Sequence, residues 1–326
     1  MNKVFLTLLV NLSFSLFACS QVNDKNISNK TTDTTNQGDE NIREEMKNLG
    51  ISSSDPNVSS FYNPEYYKQF ENTWVTLSPG IEYTEKVQDR KSVVGDSKIS
   101  MLKIDPSKVS FEFKSATELE NQKLCVADYA QKFGYNIVIN SGMYNLRDGL
   151  TSAGLLINNK YYANNPRLRS GYNMMICANP KKPGLPNMQI VDLKMHSWEE
   201  LKTKYNSFSQ GLRMIDGEGN PMSWNKRDQI CSQLIVAEDD KGLIYFIFTR
   251  SPYSQNYMIS FMVKQGLKNA VYMEGGPQTS MFVDIADNRI EKVGSYVSHT
   301  FPSDTNNRYW PLPNVIGVKI NNDLAN

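Results

Sequence analysis

Hydrophobic and polar residues follow one another along the chain in a way that predicts more strands than helices. Val109, Phe111 and Phe113 alternate with polar residues, which is typical of a strand buried on one face. Residues 137–139 form a short, continuous apolar run, as expected for a buried strand. A hairpin with an Asn-Asn turn is predicted over 155–161. Further strands are predicted at 172–177, 188–193, 233–237, 243–249, 270–273, 280–285 and 314–320.

Three helices are predicted from capping signals, over 117–133, 197–205 and 254–265. Thr117 and Ser197 are each followed three residues later by Glu, which is the spacing of a capping box at a helix N-terminus. Gly134 and Gly266 occupy positions at which helices commonly end. Because strands outnumber helices and come partly in hairpins, we expect an α+β fold. It would be a single domain with a large mixed or antiparallel β-sheet core flanked by helices.

The N-terminus has the composition of a targeting segment followed by a tether. Residues 1–18 combine a basic start, an apolar run and small residues ahead of Cys19, which predicts a signal peptide. The sequence Leu-Phe-Ala-Cys resembles a bacterial lipobox, in which Cys19 is lipidated; the alternative is an ordinary signal peptide with an incidental cysteine. Residues 19–60 are polar and predicted to be a disordered tether, leaving 61–326 as the folded domain. The protein would then be exported and lipid-anchored to the bacterial cell envelope, on its periplasmic or surface face.

Charge and composition exclude several classes of function. The chain has 35 Lys+Arg against 34 Asp+Glu and a formal net charge of +1, so no nucleic-acid partner is predicted. Two His residues leave little material for a His-rich metal site or a Ser-His-Asp triad. Cys125, Cys177 and Cys231 lack the CxxC spacing of a metal cluster, and one disulfide among them stays open. Neither a metal nor a cofactor is predicted.

The most informative segment is a predicted strand that leads directly into Glu274-Gly275-Gly276. Glycine allows positive φ and close approach of a ligand to the backbone. Successive glycine amides can also form a nest for an anion. Glu274 at that edge could act as a base, a nucleophile or an acceptor for sugar hydroxyl groups. The alternative is an ordinary Gly-Gly turn with a surface glutamate.

Other polar residues also stand where predicted strands end. Asn140 and Gly142 follow a buried strand, and the alternative there is a plain strand-to-loop exit. Gln210 and Asp216 belong to one glycine-rich stretch, in which Asp216 is also typical of a hairpin turn. Arg250 follows a strand and precedes a predicted helix N-terminus, a position suited to an anionic group or to a surface ion pair.

Several motifs occur in a characteristic order over about residues 100–320. They are Asn140-Ser141-Gly142-Met143-Tyr144, Gly154-Leu155-Leu156-Ile157, Gln210 with Asp216-Gly217, the run 270–276 with Ser280, and the closing run 311–316. In this order the chain resembles the phosphodiester glycosidase family. The resemblance implies a hydrolase that cleaves the glycosidic bond of a sugar-1-phosphodiester or a related envelope glycan.

The resemblance also implies roles for the candidate residues. Glu274 and Asp216 would be the catalytic carboxylates. Arg250 and the amides of Gly275 and Gly276 would bind the phosphate group. The remaining substrate-binding candidates are Asn140, Gly142, Gln210 and Ser280. The expected partners are a carbohydrate or sugar-phosphate substrate and a membrane contacted through the lipid anchor.

Two alternatives remain at the level of the sequence. One is a non-catalytic glycan-binding or envelope-interaction lipoprotein on the same scaffold. The other is a metal-dependent hydrolase that uses Asp216, Glu274 and Asp284 as ligands. A phosphodiester glycosidase requires Glu274, Arg250 and the amide side chains of Asn140 and Gln210 to converge on one cavity. A non-catalytic binder does not require this convergence.

Overall fold

The computed structural model describes residues 64–159, 162–224, 230–298 and 301–321, and antiparallel strands are the commonest element among them. In chain order the strands are β1 (Val75–Ser78), β2 (Ile81–Val87), β3 (Lys98–Ile104), β4 (Val109–Ser115), β5 (Ile137–Asn140), β6 (Leu156–Asn158), β7 (Tyr162–Asn165), β8 (Met174–Pro180), β9 (Met188–Asp192), β10 (Tyr205–Ile215), β11 (Ile230–Asp239), β12 (Ile244–Ser254), β13 (Leu267–Gly275), β14 (Ser280–Ile285), β15 (Asn288–Val293), β16 (Tyr296–Ser298), β17 (Phe301–Ser303) and β18 (Asn314–Ile320). The predicted signal peptide, Cys19 and the predicted tether lie outside the described residues.

The strands form two main sheets. The larger has eleven strands in the order β1-β2-β3-β12-β11-β13-β10-β6-β7, with β8 pairing to β10 and β9 pairing to β8. The smaller has the order β15-β14-β5-β18-β4, and β16 and β17 form a separate ribbon. Antiparallel pairing places β13 between β11 and β10, near the middle of the larger sheet.

Four short helices accompany the sheets in the described residues, and two of them, over 126–133 and 255–264, pack on the outer faces. The described helices are α1 (Pro64–Lys68), α2 (Val126–Phe133), α3 (Trp198–Lys204) and α4 (Gln255–Lys264). Short 3-10 turns cover Pro106–Lys108, Ala116–Leu119 and Gly276–Gln278. No helix of the described ranges is long and apolar enough to cross a membrane.

The main core lies between the two sheets. Leu102, Phe246 and Met273 of the larger sheet pack in one cluster with Ile139 and Ile316 of the smaller sheet. Burying an aliphatic or aromatic side chain of this size stabilises the fold by about 1.5–3 kcal/mol each. The sheets are therefore held face to face by the residues that alternate inward along each strand.

Two further apolar clusters attach helices to the outer faces. Met258 and Met262 of α4 pack with Ile235 and Ile247 on the larger sheet. Tyr129 of α2 belongs to a cluster with Val138 and Phe282 on the smaller sheet. The arrangement is a helix–sheet–sheet–helix sandwich, which confirms the predicted α+β class with a large sheet core flanked by helices.

One predicted helix is shorter than expected at its N-terminal end. The capping box that forms is Ser115 with Glu118, and it begins the 3-10 turn Ala116–Leu119. Glu120 and Asn121 then adopt left-handed φ values of 54° and 68°, which end that turn. Helix α2 begins only at Val126, so the prediction of a helix from residue 117 was wrong. The other two predicted helices form, with the side chains of Ser197 and Ser254 capping α3 and α4.

Candidate active site

Glu274 lies near the C-terminal end of β13, where the pairing with β11 is irregular. Leu234 pairs with Glu274 but the next residue, Ile235, pairs with Tyr272, so β13 carries one extra residue at this point. Bulges of this kind bend a strand and redirect its side chains, and they occur often beside active sites. The Glu274 side chain is only 3% exposed, so the alternative of a surface glutamate on a Gly-Gly turn does not apply.

Burial controls the protonation of Glu274. The loss of solvation raises the pKa of its carboxyl to about 7, and a hydrogen bond from the Gly275 amide opposes this rise. That amide donates to Oε1 at 2.9 Å. Among the described residues, no cation lies within ion-pair distance of this carboxyl. Both protonation states are therefore populated near neutral pH, which general acid–base chemistry requires.

Two tyrosines flank Glu274. Burial raises the pKa values of Tyr272 and Tyr172 most strongly, and the charge of Glu274 raises both further. Both phenols are therefore neutral hydrogen-bond donors at neutral pH. The Trp224 ring lies at 5.3 Å from the Tyr272 ring and extends the aromatic surroundings. Tyr172 was not predicted as a site residue; its only sequence signal was an aromatic directly after a glycine-containing loop.

The two glycines after Glu274 have separate structural reasons. A Cβ on Gly275 would lie 2.0 Å from Oη of Tyr272, so the close approach of the phenol requires glycine. Gly276 has a φ of 76°, which suits glycine and turns the chain into the 3-10 segment Gly276–Gln278. The turn predicted at this place is confirmed as a sharp backbone turn directly beside the buried carboxyl.

Asn140 joins the smaller sheet to this turn. Its Nδ2 donates to the carbonyl of Gln278 at 3.1 Å, and its Oδ1 accepts from the amide of Ser280 at 2.8 Å. The hydroxyl of Ser280 also donates to the Gln278 carbonyl, at 3.0 Å. Asn140 and Ser280 are thus close to the Glu274 turn, as the motif order predicts. Their described bonds hold the main chain of the turn, so they position the site.

Gln210 has no hydrogen-bonding capacity left for a sugar hydroxyl. Its Oε1 accepts from the amides of Leu155 and Arg169 at 3.0 and 2.9 Å. Its Nε2 donates to the carbonyls of Arg169 and Tyr172 at 3.0 and 2.6 Å. Two acceptor positions and two donor hydrogens are the capacity of a glutamine amide. Gln210 therefore acts on the site by holding the loop that carries Tyr172.

Gly142 lies in the loop that follows β5. Its φ of 114° suits glycine, and a Cβ there would be 3.7 Å from Oγ of Ser209. The same Ser209 hydroxyl donates to the carbonyl of Ser141 at 2.7 Å. This loop is consequently tied to β10 next to the Gln210 contacts.

The structure does not place Arg250 beside Glu274. Its Nε contacts Oδ1 of Asp304 at 2.5 Å, and its Nη atoms donate to the carbonyls of Val293, Asp304 and Asn306 at 2.8–3.0 Å. Asn306 in turn donates from Nδ2 to the carbonyls of Pro277 and Gly294 at 3.1 and 2.7 Å. Arg250 therefore supports the segment behind the Gly276–Gln278 turn, because its guanidinium is already occupied.

Arg250 also lines a separate polar cavity of about 350 Å³ that Glu274 does not line. The cations at this cavity are paired: Lys292 contacts Glu85 at 2.7 Å, and Lys98 contacts Glu71 at 2.7 Å. Paired cations are poor candidates for capturing a phosphate, since the anion would have to displace a carboxylate. The expected convergence of Arg250 and Glu274 on one cavity is not observed.

Asp216 is also remote from Glu274. Its carboxyl accepts from the amides of Glu218 and Asn220 at 3.0 and 2.8 Å, which is the local pattern of a turn. Pairing of Ile215 with Ala270 places this turn at least four residues along β13 from Glu274, about 13 Å at the usual rise of a strand. Asp216 is consequently a turn residue, and its predicted role as a second catalytic carboxylate is not supported by its position.

Other candidates from the sequence also lie apart from the site. Asp284 is exposed and 3.8 Å from Arg289, and no group of three or more metal-ligand side chains occurs among the described residues. Cys125 and Cys177 carry free thiols, so neither contributes to the disulfide that the sequence left open.

Comparison with known proteins gives one family and a shared fold. The phosphodiester glycosidase family model matches residues 133–319, more than half of the chain. The fold is similar to the zebrafish N-acetylglucosamine-1-phosphodiester alpha-N-acetylglucosaminidase catalytic domain auto-inhibited by its pro-peptide, with a TM-score of 0.50 and 13% identity over 75% of this chain and 85% of that one. A hypothetical protein from Synechocystis gives a TM-score of 0.49 and 12% identity over 76% and 64%. No curated protein matches the chain significantly.

Proposed function

Because the chain belongs to the phosphodiester glycosidase family, we propose that it hydrolyses the glycosidic bond of a sugar-1-phosphodiester or a related envelope glycan. The observation that carries this proposal is the buried Glu274, whose pKa of about 7 suits acid–base chemistry. Its position on a bulged strand, next to a glycine turn held by Asn140, supports a preorganised site.

The chemistry of the substrate determines what Glu274 has to do. When a sugar-1-phosphodiester is cleaved at the anomeric carbon, the leaving group is a phosphate monoester, which is a weak base. A strong general acid is then less necessary than in ordinary glycoside hydrolysis, where two carboxylates share the work. No second carboxylate contributes to the raised pKa of Glu274, since burial alone raises it.

We propose direct attack by water; attack by Glu274 itself on the anomeric carbon would instead give retention. In this mechanism the ionised Glu274 accepts a proton from water while the water oxygen forms a bond to the anomeric carbon. The bond between that carbon and the phosphate oxygen breaks, and the phosphate monoester leaves with the electron pair. The product sugar would have the inverted configuration, which an NMR spectrum taken early in the reaction reports.

The first substrate to test follows from the structural neighbour. The zebrafish protein is named for an N-acetylglucosamine-1-phosphodiester, but at 13% identity the likeness shows the fold alone. We therefore assign a sugar-1-phosphodiester to this chain as a substrate class, and an α-N-acetylglucosamine-1-phosphodiester of a simple alcohol is the first probe.

The location belongs to the same proposal. The Leu-Phe-Ala-Cys motif supports export and lipidation of Cys19, which would hold the enzyme on the cell envelope at its periplasmic or surface face. Detergent phase partitioning of the wild type and Cys19→Ser tests this. The wild type should enter the detergent phase and the variant the aqueous phase, and equal partitioning would contradict the anchor.

The catalytic proposal is tested by replacing Glu274. Glu274→Gln removes the ionisable group and should lower kcat/KM by about 10²–10⁴-fold, the usual contribution of a general base. Glu238→Gln is the matched control, because burial raises the pKa of Glu238 to about 7 as well. That control should keep full activity. Full turnover by Glu274→Gln would end the assignment, and sugar binding without turnover by the wild type would favour the non-catalytic binder.

A further inference from the structure

Two exposed loops beside the site present three arginines. Arg147 lies on the hairpin 143–153, and Arg167 and Arg169 lie on the loop 166–172. The loops are in direct contact, since Nη1 of Arg169 donates to the carbonyl of Ala153 at 3.3 Å. We call Arg147, Arg167 and Arg169 the arginine rim.

The rim carries a surplus of positive charge, with three arginines against one aspartate in the two loops. None of its three side chains has an acidic partner among the described residues. Asp148, the acidic residue within the two loops, is occupied by hydrogen bonds from the amides of Leu150 and Thr151 at 2.9 and 3.0 Å. By contrast, the arginines at positions 213, 250 and 289 all contact carboxylates. The rim therefore presents, on two adjacent loops, three guanidinium groups that no carboxylate of the described residues holds.

A further cation lies next to the hairpin tip. A Cβ on Gly149 would be 3.5 Å from Nζ of Lys123, so this ammonium group is adjacent to the loop that carries Arg147. Burial lowers the pKa of Lys123, and no carboxylate within the described ranges opposes this effect. The positive charge thus extends along the outside of the hairpin.

The rim borders the Glu274 site. The guanidinium of Arg169 lies 4.6 Å from the centre of the Tyr172 ring, and Tyr172 is one of the two tyrosines whose pKa responds to Glu274. Gln210 binds the main chain of both Arg169 and Tyr172. Arg169 therefore connects the rim to the surroundings of Glu274.

We propose that the arginine rim binds phosphate groups of a polyanionic aglycone, beyond the phosphodiester that is cleaved; this inference rests on the proposed function. Arginine presents a planar fork of donors that matches phosphate, and it is always charged. Three such groups spread over two loops fit a chain with repeated phosphates better than a single phosphate. The substrate class is thus a sugar joined through its anomeric phosphate to a chain of repeated phosphodiesters, for which poly(glycerol phosphate) serves as the probe.

The magnitude of the effect follows from the exposure of the rim. An exposed ion pair contributes about a 1.4- to fivefold change in affinity, so loss of two arginines should cost about 2–25-fold. The interaction should weaken as salt is added, because exposed charges are screened within about 10 Å at 0.1 M ionic strength.

The test compares two soluble substrates with the full-length protein. One is the methyl ester of α-N-acetylglucosamine-1-phosphate. The other carries a poly(glycerol phosphate) chain in place of the methyl group. The double variant Arg147→Gln/Arg167→Gln should lose about 2–25-fold in kcat/KM on the second substrate and be unchanged on the first. The matched control is Lys241→Gln/Lys264→Gln, which removes two exposed charges from other elements and should behave as the wild type.

Binding of free poly(glycerol phosphate), measured by calorimetry, separates this inference from the proposed function. Weaker binding to the rim variant than to the control supports the rim even if no substrate is hydrolysed. Equal binding to both proteins, or equal loss on both substrates, overturns it. Leu146 and Leu168 are exposed on the same loops and could contact a lipid surface beside the arginines. Binding to phosphatidylglycerol vesicles is therefore measured as well. Loss of binding by the variant to vesicles alone would assign the rim to a membrane and also overturn the proposal.

Discussion

Replacing Glu274 by glutamine should make the protein more stable at alkaline pH. Burial raises the pKa of this carboxyl from 4.5 to about 7. A group whose folded pKa lies above its unfolded value contributes stability that is complete below the unfolded pKa and is lost as the pH rises through the folded pKa. The wild type should therefore lose stability between about pH 4.5 and 7, because the buried carboxyl must ionise in the folded state.

The size of this loss follows from the shift. A difference of about 2.5 pKa units corresponds to about 3 kcal/mol at pH values above 7. The glutamine side chain of the variant would be neutral at every pH, and its oxygen could still accept the hydrogen bond from the Gly275 amide. We expect the variant to exceed the wild type by up to about 3 kcal/mol at pH 8 and by little at pH 4.5.

Urea unfolding at pH 5, 6, 7 and 8 measures the difference. The free energy of unfolding falls with urea concentration by about 3 kcal/mol per molar for a protein of this size. The urea midpoint of the variant should therefore lie about 1 M above that of the wild type at pH 8, with the slope unchanged. Glu238→Gln provides the control, because burial raises the pKa of Glu238 to about 7 while its Oε2 accepts from the Ile190 amide far from the site. The stability of Glu238→Gln relative to the wild type should rise with pH in the same way, and its activity should equal that of the wild type.

The reasoning would be refuted by a stability difference between Glu274→Gln and the wild type that is the same at pH 5 and pH 8. It would also be refuted by a variant less stable than the wild type at pH 8. In the wild type, kcat/KM should rise as the pH passes through about 7, because only the ionised carboxyl accepts a proton from water. Activity and stability should thus change in opposite directions over the same pH range.

Three other substitutions test the surroundings of Glu274. Asn140→Ala removes both bonds to the turn and should lower kcat at least tenfold with a smaller change in KM, which steady-state kinetics would show. Gly275→Ala places a Cβ 2.0 Å from the Tyr272 hydroxyl and should destabilise the fold by about 1–3 kcal/mol in urea unfolding. Adding Tyr272→Phe should recover part of that loss, and no recovery would show that the contact is not responsible. Arg250→Gln should lower thermal stability through the loss of its contact with Asn306 and leave KM within about threefold, whereas a phosphate ligand would raise KM far more.

Local sequence signals predicted most of the elements that position the site. The alternation at Val109 to Phe113 became β4, and the apolar run before Asn140 became β5. Ser197 and Ser254 cap α3 and α4 because a cap depends only on residues within one turn. The helix expected from Thr117 failed because a competing capping box two residues earlier formed a 3-10 turn instead.

The roles of the polar residues were harder to predict, because their partners come from distant parts of the chain. The sequence indicates that Gln210 lies in a glycine-rich stretch, but its four bonds go to Leu155, Arg169 and Tyr172, about 40–55 residues away. Arg250 has the residue type expected for a phosphate ligand, yet Asp304 and Asn306 occupy it. Hydrogen-bond saturation is a property of the folded state that spacing along the chain does not report.

The same saturation supports Glu274 as the reactive group. Gln210 and Asn140 are buried amides with their bonds satisfied by main-chain partners, which is the usual state of buried polar groups. Glu274 is equally buried, but its described hydrogen bonding is limited to one amide and no cation among the described residues offsets its charge. Ionisation of Glu274 in the folded protein should cost about 3 kcal/mol. An uncharged side chain of similar size would fill the same space without this cost, so packing does not explain why a carboxyl stands here. A carboxyl kept under these conditions, on a bulged strand and beside a turn that the satisfied amide of Asn140 holds in place, is best explained by chemistry that uses its proton.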